Sequence, residues 1–238
     1  MRKLLIICFI AIFPCAHASA DALGLYLGGG SWSHDPSGAF SSSQGGDTID
    51  MNSDLNLSKK SEAYLWLAFE HPVPLLPNIR LEKTGLSHTS STSSAFNFNG
   101  SPVATGATEV TLDSLDTILY YRLLDNWVNL DLGINLRRLD GRFAIGNESV
   151  EVTETVPMLY LAAAFDMPLT GLSLGADYKY VGYSGSSYND SRIRLAYEMG
   201  IIGIEAGIRS TKITLDDVDG INSNIDFKGL MVGAFLHF

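Results

Sequence analysis

The stretch Phe227 to Phe238 reads F-K-G-L-M-V-G-A-F-L-H-F, and its reading decides the fold. Leu230, Val232, Ala234, Leu236 and Phe238 fall on one face, and Gly229, Met231, Gly233 and His237 on the other. That is the period of a β-strand. A strand this apolar at a free sheet edge is an aggregation hazard in water. The hazard disappears if the last strand pairs with the first in a closed barrel and its apolar face meets lipid. The reading is therefore a transmembrane antiparallel up-and-down β-barrel.

The same residues resemble the C-terminal signature of bacterial outer-membrane barrels, a final Phe preceded by apolar residues at alternate positions. The resemblance implies recognition by the barrel-assembly machinery, with Phe238, Leu236, Ala234 and Val232 as the assembly signal. At the other end, Arg2 and Lys3 precede an apolar run from Leu4 to Phe13, and Ala18-Ser19-Ala20 offers a small-residue cleavage site. This predicts a secretory signal peptide over residues 1–20 and a single barrel domain over residues 21–238. Phe13 and Pro14 before Cys15 exclude a lipoprotein signal. Cys8 and Cys15 are the only cysteines and leave with the signal, so the mature chain is expected to have no disulfide and no thiolate metal site.

Working back along the chain, alternation predicts ten strands, with eight as the alternative. The ten begin near Ala22, Ser61, Asn78, Glu109, Trp127, Val150, Leu172, Tyr188, Ile201 and Phe227. The strand from Trp127 alternates best: Val128, Leu130, Leu132, Ile134 and Leu136 against Asn129, Asp131, Gly133, Asn135 and Arg137. Connections are long or polar after odd strands and short after even ones. An even count with that asymmetry is the pattern of bacterial outer-membrane barrels, with both termini in the periplasm. Trp32, Tyr183 and Tyr188 are expected at the outer interface. Phe69, Tyr121, Trp127, Phe165, Tyr197 and Phe238 are expected at the inner one. Two residues break the pattern. Lys83 follows Ile79 and Leu81 onto the lipid face, and a bulge between Lys83 and Leu86 is expected to flip the parity. Pro157 lacks a ladder donor, so the membrane part of its strand is expected to begin near Met158.

With the apolar face outward, the lumen receives Arg80, Glu82, Asp116, Arg122, Asp131, Arg137, Asp177, Lys179, Arg192, Arg194, Glu205 and Arg209, together with Glu62, Glu70, Glu154 and Glu198. Charges in a narrow, weakly hydrated lumen must be paired. Eight strands are just filled by side chains and porins need sixteen or more, so ten predict a plugged or very narrow interior. Neighbouring strands suggest the partners: Arg192 and Arg194 with Asp177, Glu198 or Glu205, and Arg137 with Glu154. Inward glycines, Gly28, Gly203 and Gly233 among them, are expected to make room for large neighbours.

Chemistry leaves weaker marks. Omptin-type outer-membrane proteases also have ten strands, but their site needs an Asp pair and an Asp-His pair. The sequence has no Asp-x-His, and Asp113 and Asp116 point to opposite faces. A lipid A deacylase-like hydrolase would use His88 and Ser90 with Glu109 nearby, and needs His88 facing lipid. Unbroken alternation turns His88 inward, and the bulge at Lys83 would reverse that. Asp216-Asp217-Val218-Asp219-Gly220 with Asn222, Asn224 and Asp226 faintly echoes a calcium loop, but the first and last ligands of such a loop are missing. No metal site and no cofactor are expected. The net charge of −10 argues against nucleic acid as a partner.

Asp21-Ala-Leu-Gly-Leu-Tyr, the run from Tyr64-Leu-Trp-Leu-Ala-Phe-Glu to Asn78, and Asp125-Asn-Trp-Val-Asn-Leu-Asp-Leu-Gly carry a further resemblance. They resemble a family of small proteobacterial outer-membrane β-barrel proteins associated with species having the GlyGly C-terminal sorting system. The resemblance implies the outer membrane of a Gram-negative bacterium, contact with its lipid and lipopolysaccharide, and periplasmic chaperones during biogenesis. It supplies no catalytic residue. A non-enzymatic barrel, structural or a narrow passage, is the first expectation. A hydrolase or a surface-loop binding protein is the alternative.

Overall fold

The computed structural model describes residues 23–92, 95–98, 101–103, 105–146, 148–218 and 220–238; residues 1–20, the expected signal, lie outside them. All the regular elements are strands: β1 (Gly24–Ser42), β2 (Ile49–Asp50), β3 (Lys60–Glu70), β4 (Asn78–Thr84), β5 (Ser87–Thr92), β6 (Phe96–Phe98), β7 (Ser101–Val103), β8 (Gly106–Asp125), β9 (Val128–Ile145), β10 (Glu148–Met167), β11 (Leu172–Tyr183), β12 (Ser186–Met199), β13 (Ile202–Val218) and β14 (Ile221–His237). Ten staves close the barrel: β1, β3, β4 with its continuation β5, and β8 through β14. Each pairs antiparallel with its chain neighbour, and β14 returns to β1 from Tyr26↔His237 to Ser42↔Ile221. The seam ends with Phe238 N–H donating to Leu25 O at 2.9 Å and Leu25 N–H donating to Phe238 O at 3.1 Å.

The alternation is realised stave by stave. Leu230, Val232, Ala234, Leu236 and Phe238 face outward while Met231 and Phe235 fill the interior. The outer surface is an apolar belt because nothing on that side needs to hydrate. Phe69, Tyr121, Trp127, Phe165, Tyr197 and Phe238 are all exposed near the short-turn end, as a girdle requires. Of the three aromatics expected at the opposite rim, Tyr183 is exposed at the end of β11, whereas Trp32 and Tyr188 are buried in the lumen. They carry inward parity: the Tyr188 hydroxyl accepts from Arg137 Nη1 at 2.9 Å, and the Arg209 guanidinium lies over the Trp32 ring, 4.9 Å from its centroid.

Several expectations need correction. No bulge separates Lys83 from Leu86. The register on β8 runs unbroken from Thr84↔Ser114 to Ser87↔Thr111, held by Leu86 N–H on Asp113 Oδ1 and Leu112 N–H on Leu86 O. Lys83 therefore stays outward. It is tolerable there because it ends the apolar row, with Gly85 next above it and Asp113 above its partner Leu115, so its ammonium reaches the polar boundary. Three of the polar connections expected after odd strands are shortened by strand: β1 runs on to Ser42, β9 to Ile145 with β10 starting at Glu148, and β13 to Val218 with β14 starting at Ile221. Polar side chains on the outward face, such as Arg138, Asp140, Arg142 and Glu151, mark strands standing clear of the apolar belt. β10 illustrates this, pairing with β9 from Glu148 but with β11 only from Leu159, so Pro157 falls where the second ladder has not begun.

Candidate functional site

The lumen has three levels. At the level of β4 residue Glu82, inward side chains from six staves converge. The Glu82 carboxylate receives Arg192 Nη1 at 3.0 Å, Arg80 Nε at 3.2 Å and Lys179 Nζ at 3.3 Å, with Arg209 Nη1 at 3.9 Å. Asp116 accepts Lys179 Nζ and Arg137 Nη2, each at 2.7 Å, and Asn135 Nδ2 at 2.9 Å. Asp190 accepts Arg137 and Arg209, both at 2.6 Å. Arg192 Nε reaches Asp177 at 2.8 Å and Arg209 Nη1 donates to Thr84 Oγ1 at 2.9 Å. Glu82 and Asp116 have side chains 0% exposed, Arg137 and Lys179 1%. Such charges are tolerated because Glu82, Asp116 and Asp190 are each shared by two or more cations with good geometry and Asp177 is paired with Arg192.

The pairing differs from expectation in one respect. Arg192–Asp177 and Arg194–Glu205 join adjacent staves as anticipated, but Lys179–Glu82, Arg192–Glu82 and Arg137–Asp190 cross the lumen. Arg137 does not meet Glu154. That residue lies opposite Leu139 above the belt and is exposed. Strand adjacency reveals only the first kind of pair. The second requires the barrel's curvature.

Toward the long-connection end, residues 43–59 fold into the mouth. Ile49, Met51, Leu55 and Leu57 are buried against Trp32, Leu86, Phe227 and Ile145. The cap is tied by Met51 N–H to Gly38 O at 2.9 Å, by the Ser90 hydroxyl to Leu55 O, and by His88 Nδ1 to Ser58 O at 3.0 Å. Beneath it His88 Nε2 and His34 Nδ1 are 2.9 Å apart, and both rings are buried against Phe227. His34 lies opposite Gly229, one residue beyond the outward Leu230, and so above the apolar belt. Burial, and then the charges of His88, Arg209 and Lys60, push His34 down to about 3. Burial also lowers His88, against the Ser58 carbonyl that favours its protonation.

The hydrolase candidates do not assemble. His88 points into the cap and Ser90 is bonded to it, whereas Glu109, opposite Thr89, pairs with Arg142 at 3.4 Å on the other side of the strand. Asp116 belongs to the ionic layer and Asp113 caps the Leu86 N–H. No cluster of three or more metal-ligating His, Cys, Asp or Glu occurs among the described residues. The acidic stretch near Asp217 is a hairpin in which Asp217 N–H bonds Asn222 Oδ1; Asp219 lies outside the described residues.

Below the ionic layer the lumen opens toward the short turns as a hollow of about 300 Å³. Sequence reading missed it, because its signal lies in residue size. Inward Ala162, Ala164, Gly175 and Ala196 on β10–β12 face a wall of Tyr26, Trp66, Tyr120, Tyr160 and Phe235. Inward glycines admit those rings: a Cβ on Gly203 would lie 2.1 Å from Phe235, and one on Gly28 2.5 Å from Trp66.

No protein-family model and no curated protein matches the sequence. Among solved structures the chain is similar to the outer membrane protease OmpT from Escherichia coli, at 13% identity and TM-score 0.50, covering 92% of this chain and 97% of that one. It also matches an outer membrane channel from Pseudomonas putida F1 at 11% identity and TM-score 0.44, covering 95% and 100%. The likeness is one of fold. The chain has the fold of an outer-membrane β-barrel, all-β, closed and ten-stranded.

Proposed function

We propose that this protein is an integral outer-membrane barrel of a Gram-negative bacterium, non-enzymatic, whose lumen is closed to solutes. The observation that carries the reading is the fully buried ionic layer spanning the lumen at Glu82, Asp116, Arg137 and Lys179. The apolar cap over the outer mouth supports it as a second closure in series. In this reading residues 1–20 direct export, and periplasmic chaperones and the barrel-assembly machinery deliver the chain through its last strand. The belt then rests in outer-membrane lipid and lipopolysaccharide. We group it with the small barrels associated with GlyGly-sorting species on the residues quoted above. The hydrolase alternative is disfavoured because His88 and Ser90 are committed to the cap.

Planar-bilayer recording tests closure. The refolded chain should leave conductance at the bare-membrane level, because no continuous water column crosses a salt-bridged lumen of this width. A large, stable, ion-selective current would overturn it. Deleting residues 44–57 should still leave the barrel sealed, since the ionic layer remains.

A further inference from the structure

We infer that the hollow below the ionic layer is a binding site for a small planar aromatic carboxylate, entered from the short-turn end. The first ground is shape. A barrel built only to be filled has no reason to set Ala162, Ala164, Gly175 and Ala196 against a wall of rings. That combination leaves a slot with a small-residue side and an aromatic side. Its roughly 300 Å³ is at the lower end of small-molecule sites. Trp66 and Tyr26 stack at 6.4 Å, Trp66 and Phe235 lie 6.0 Å apart, and Tyr120 and Tyr160 5.9 Å apart, so the aromatic side is fixed before a ligand arrives.

The second ground is polarity. The acids around the hollow already have donors: Glu70 and Asp131 hold Arg122, Asp177 holds Arg192, Glu198 meets His237, and Asp166 accepts Asn129 Nδ2. One donor is left over. Arg80 lines the hollow and is 7% exposed. Its guanidinium lies on the Trp66 face with Cζ 4.2 Å from the ring centroid; Nη2 is enclosed and unpartnered, whereas Nη1 keeps some accessible surface and makes no hydrogen bond among the described residues. Only Nε is used, on Glu82 at 3.2 Å. A buried donor without a partner is costly. A ligand acceptor in the hollow can reach Nη1, and a guanidinium N–H is matched best by a carboxylate oxygen. The ligand's flat apolar body then lies along the rings beside Trp66.

The test uses the full refolded chain in detergent with 2-naphthoate as probe, 2-naphthalenemethanol as its neutral counterpart, and a detergent blank. Calorimetry should show saturable one-to-one binding of naphthoate, at least about ten-fold tighter than the alcohol, since hydrogen bonds to charged groups are worth about 1.5–3 kcal/mol. Ala164→Phe, which fills the slot, should abolish binding while the protein still migrates as a folded barrel on unheated gels. Arg80→Gln should remove the preference for naphthoate over the alcohol. If Arg80→Gln fails to fold, Ala164→Phe decides alone. Absence of saturable binding, equal affinity for the alcohol, or undiminished binding by folded Ala164→Phe overturns the inference. Conductance is recorded separately, so failure of binding and failure of closure are told apart.

Discussion

Replacing Glu82 by Gln keeps the side chain's shape and removes one charge from the centre of the ionic layer. In the native barrel that carboxylate lies within 3.3 Å of Arg192, Arg80 and Lys179, and its side chain is wholly buried. Lys179 and Arg192 retain Asp116 and Asp177, but Arg80 loses its one carboxylate. Breaking a buried ionic arrangement by removing one partner costs about 3–5 kcal/mol. With a urea m-value of about 2 kcal/mol per M, the unfolding midpoint should fall by roughly 1.5–2.5 M. Glu151→Gln is the control. It removes an ion pair to Arg142 at 2.8 Å in which both side chains are well exposed, a change worth about 0–1 kcal/mol. The assay is urea titration in lipid vesicles, read by tryptophan fluorescence and by gel mobility without heating. Adding Arg192→Met to Glu82→Gln should cost less than the two single losses combined, because the first change has already removed the ion pair that Arg192 shares with residue 82. Equal midpoints for Glu82→Gln and Glu151→Gln would refute the reasoning.

Three further outcomes are expected. Phe238→Lys should prevent stable insertion, because it places a charge in the outward row at the β1–β14 seam; full retention of the heat-modifiable band would contradict this. His34 and His88 are held neutral in the folded cap, with pKa values below the ordinary 6.5, so the unfolded chain takes up their protons first as pH falls. Their contribution to stability is therefore complete above pH 6.5 and declines as pH drops toward about 3, by up to about 2.7 kcal/mol per pH unit for two protons; His34→Gln with His88→Gln should flatten that decline in urea midpoints, and an unchanged pH dependence would count against it. The hairpin around Asp217 should show no calcium site tighter than about micromolar in titration calorimetry, the range of sensor loops.

The architecture was legible because lipid on one side and charge on the other impose a two-residue period that needs no tertiary information. Strand order, seam and short turns follow from it. The strand tops were not legible: beyond the belt the outward residues of β9 and β10, such as Arg138, Asp140, Arg142, Glu151 and Thr153, are polar while Leu139, Phe143, Ile145 and Val156 turn inward, so the apolar face changes side although the ladder continues. The inward identity of Arg137, Lys179 and Glu82 was readable from parity, yet their partners across the lumen were not, since curvature brings together staves far apart in the sheet. At Lys83 a rule about lysine in lipid suggested a bulge. An unbroken ladder and a position at the edge of the belt resolved the conflict without one. The hollow escaped notice because alanine and glycine leave no pattern; its shape arises from what faces them.

The ionic layer also constrains the order of assembly. Lys179 and Glu82 are 97 residues apart in sequence, Arg192 and Glu82 110, and Arg209 and Thr84 125. A growing sheet of early strands holds Glu82 and Asp116 with few of their cations, and gains Arg192 and Arg209 only when β12 and β13 arrive. Until then the concave side must stay hydrated, for stranded charges cannot be dried. Contacts this remote reward the chain only after it has closed on itself. The last water therefore leaves the ionic layer when β14 meets β1, and a sheet lacking its final staves has no dry layer to rest in. Closure of the seam is thus the step that separates a wet intermediate from a sealed barrel.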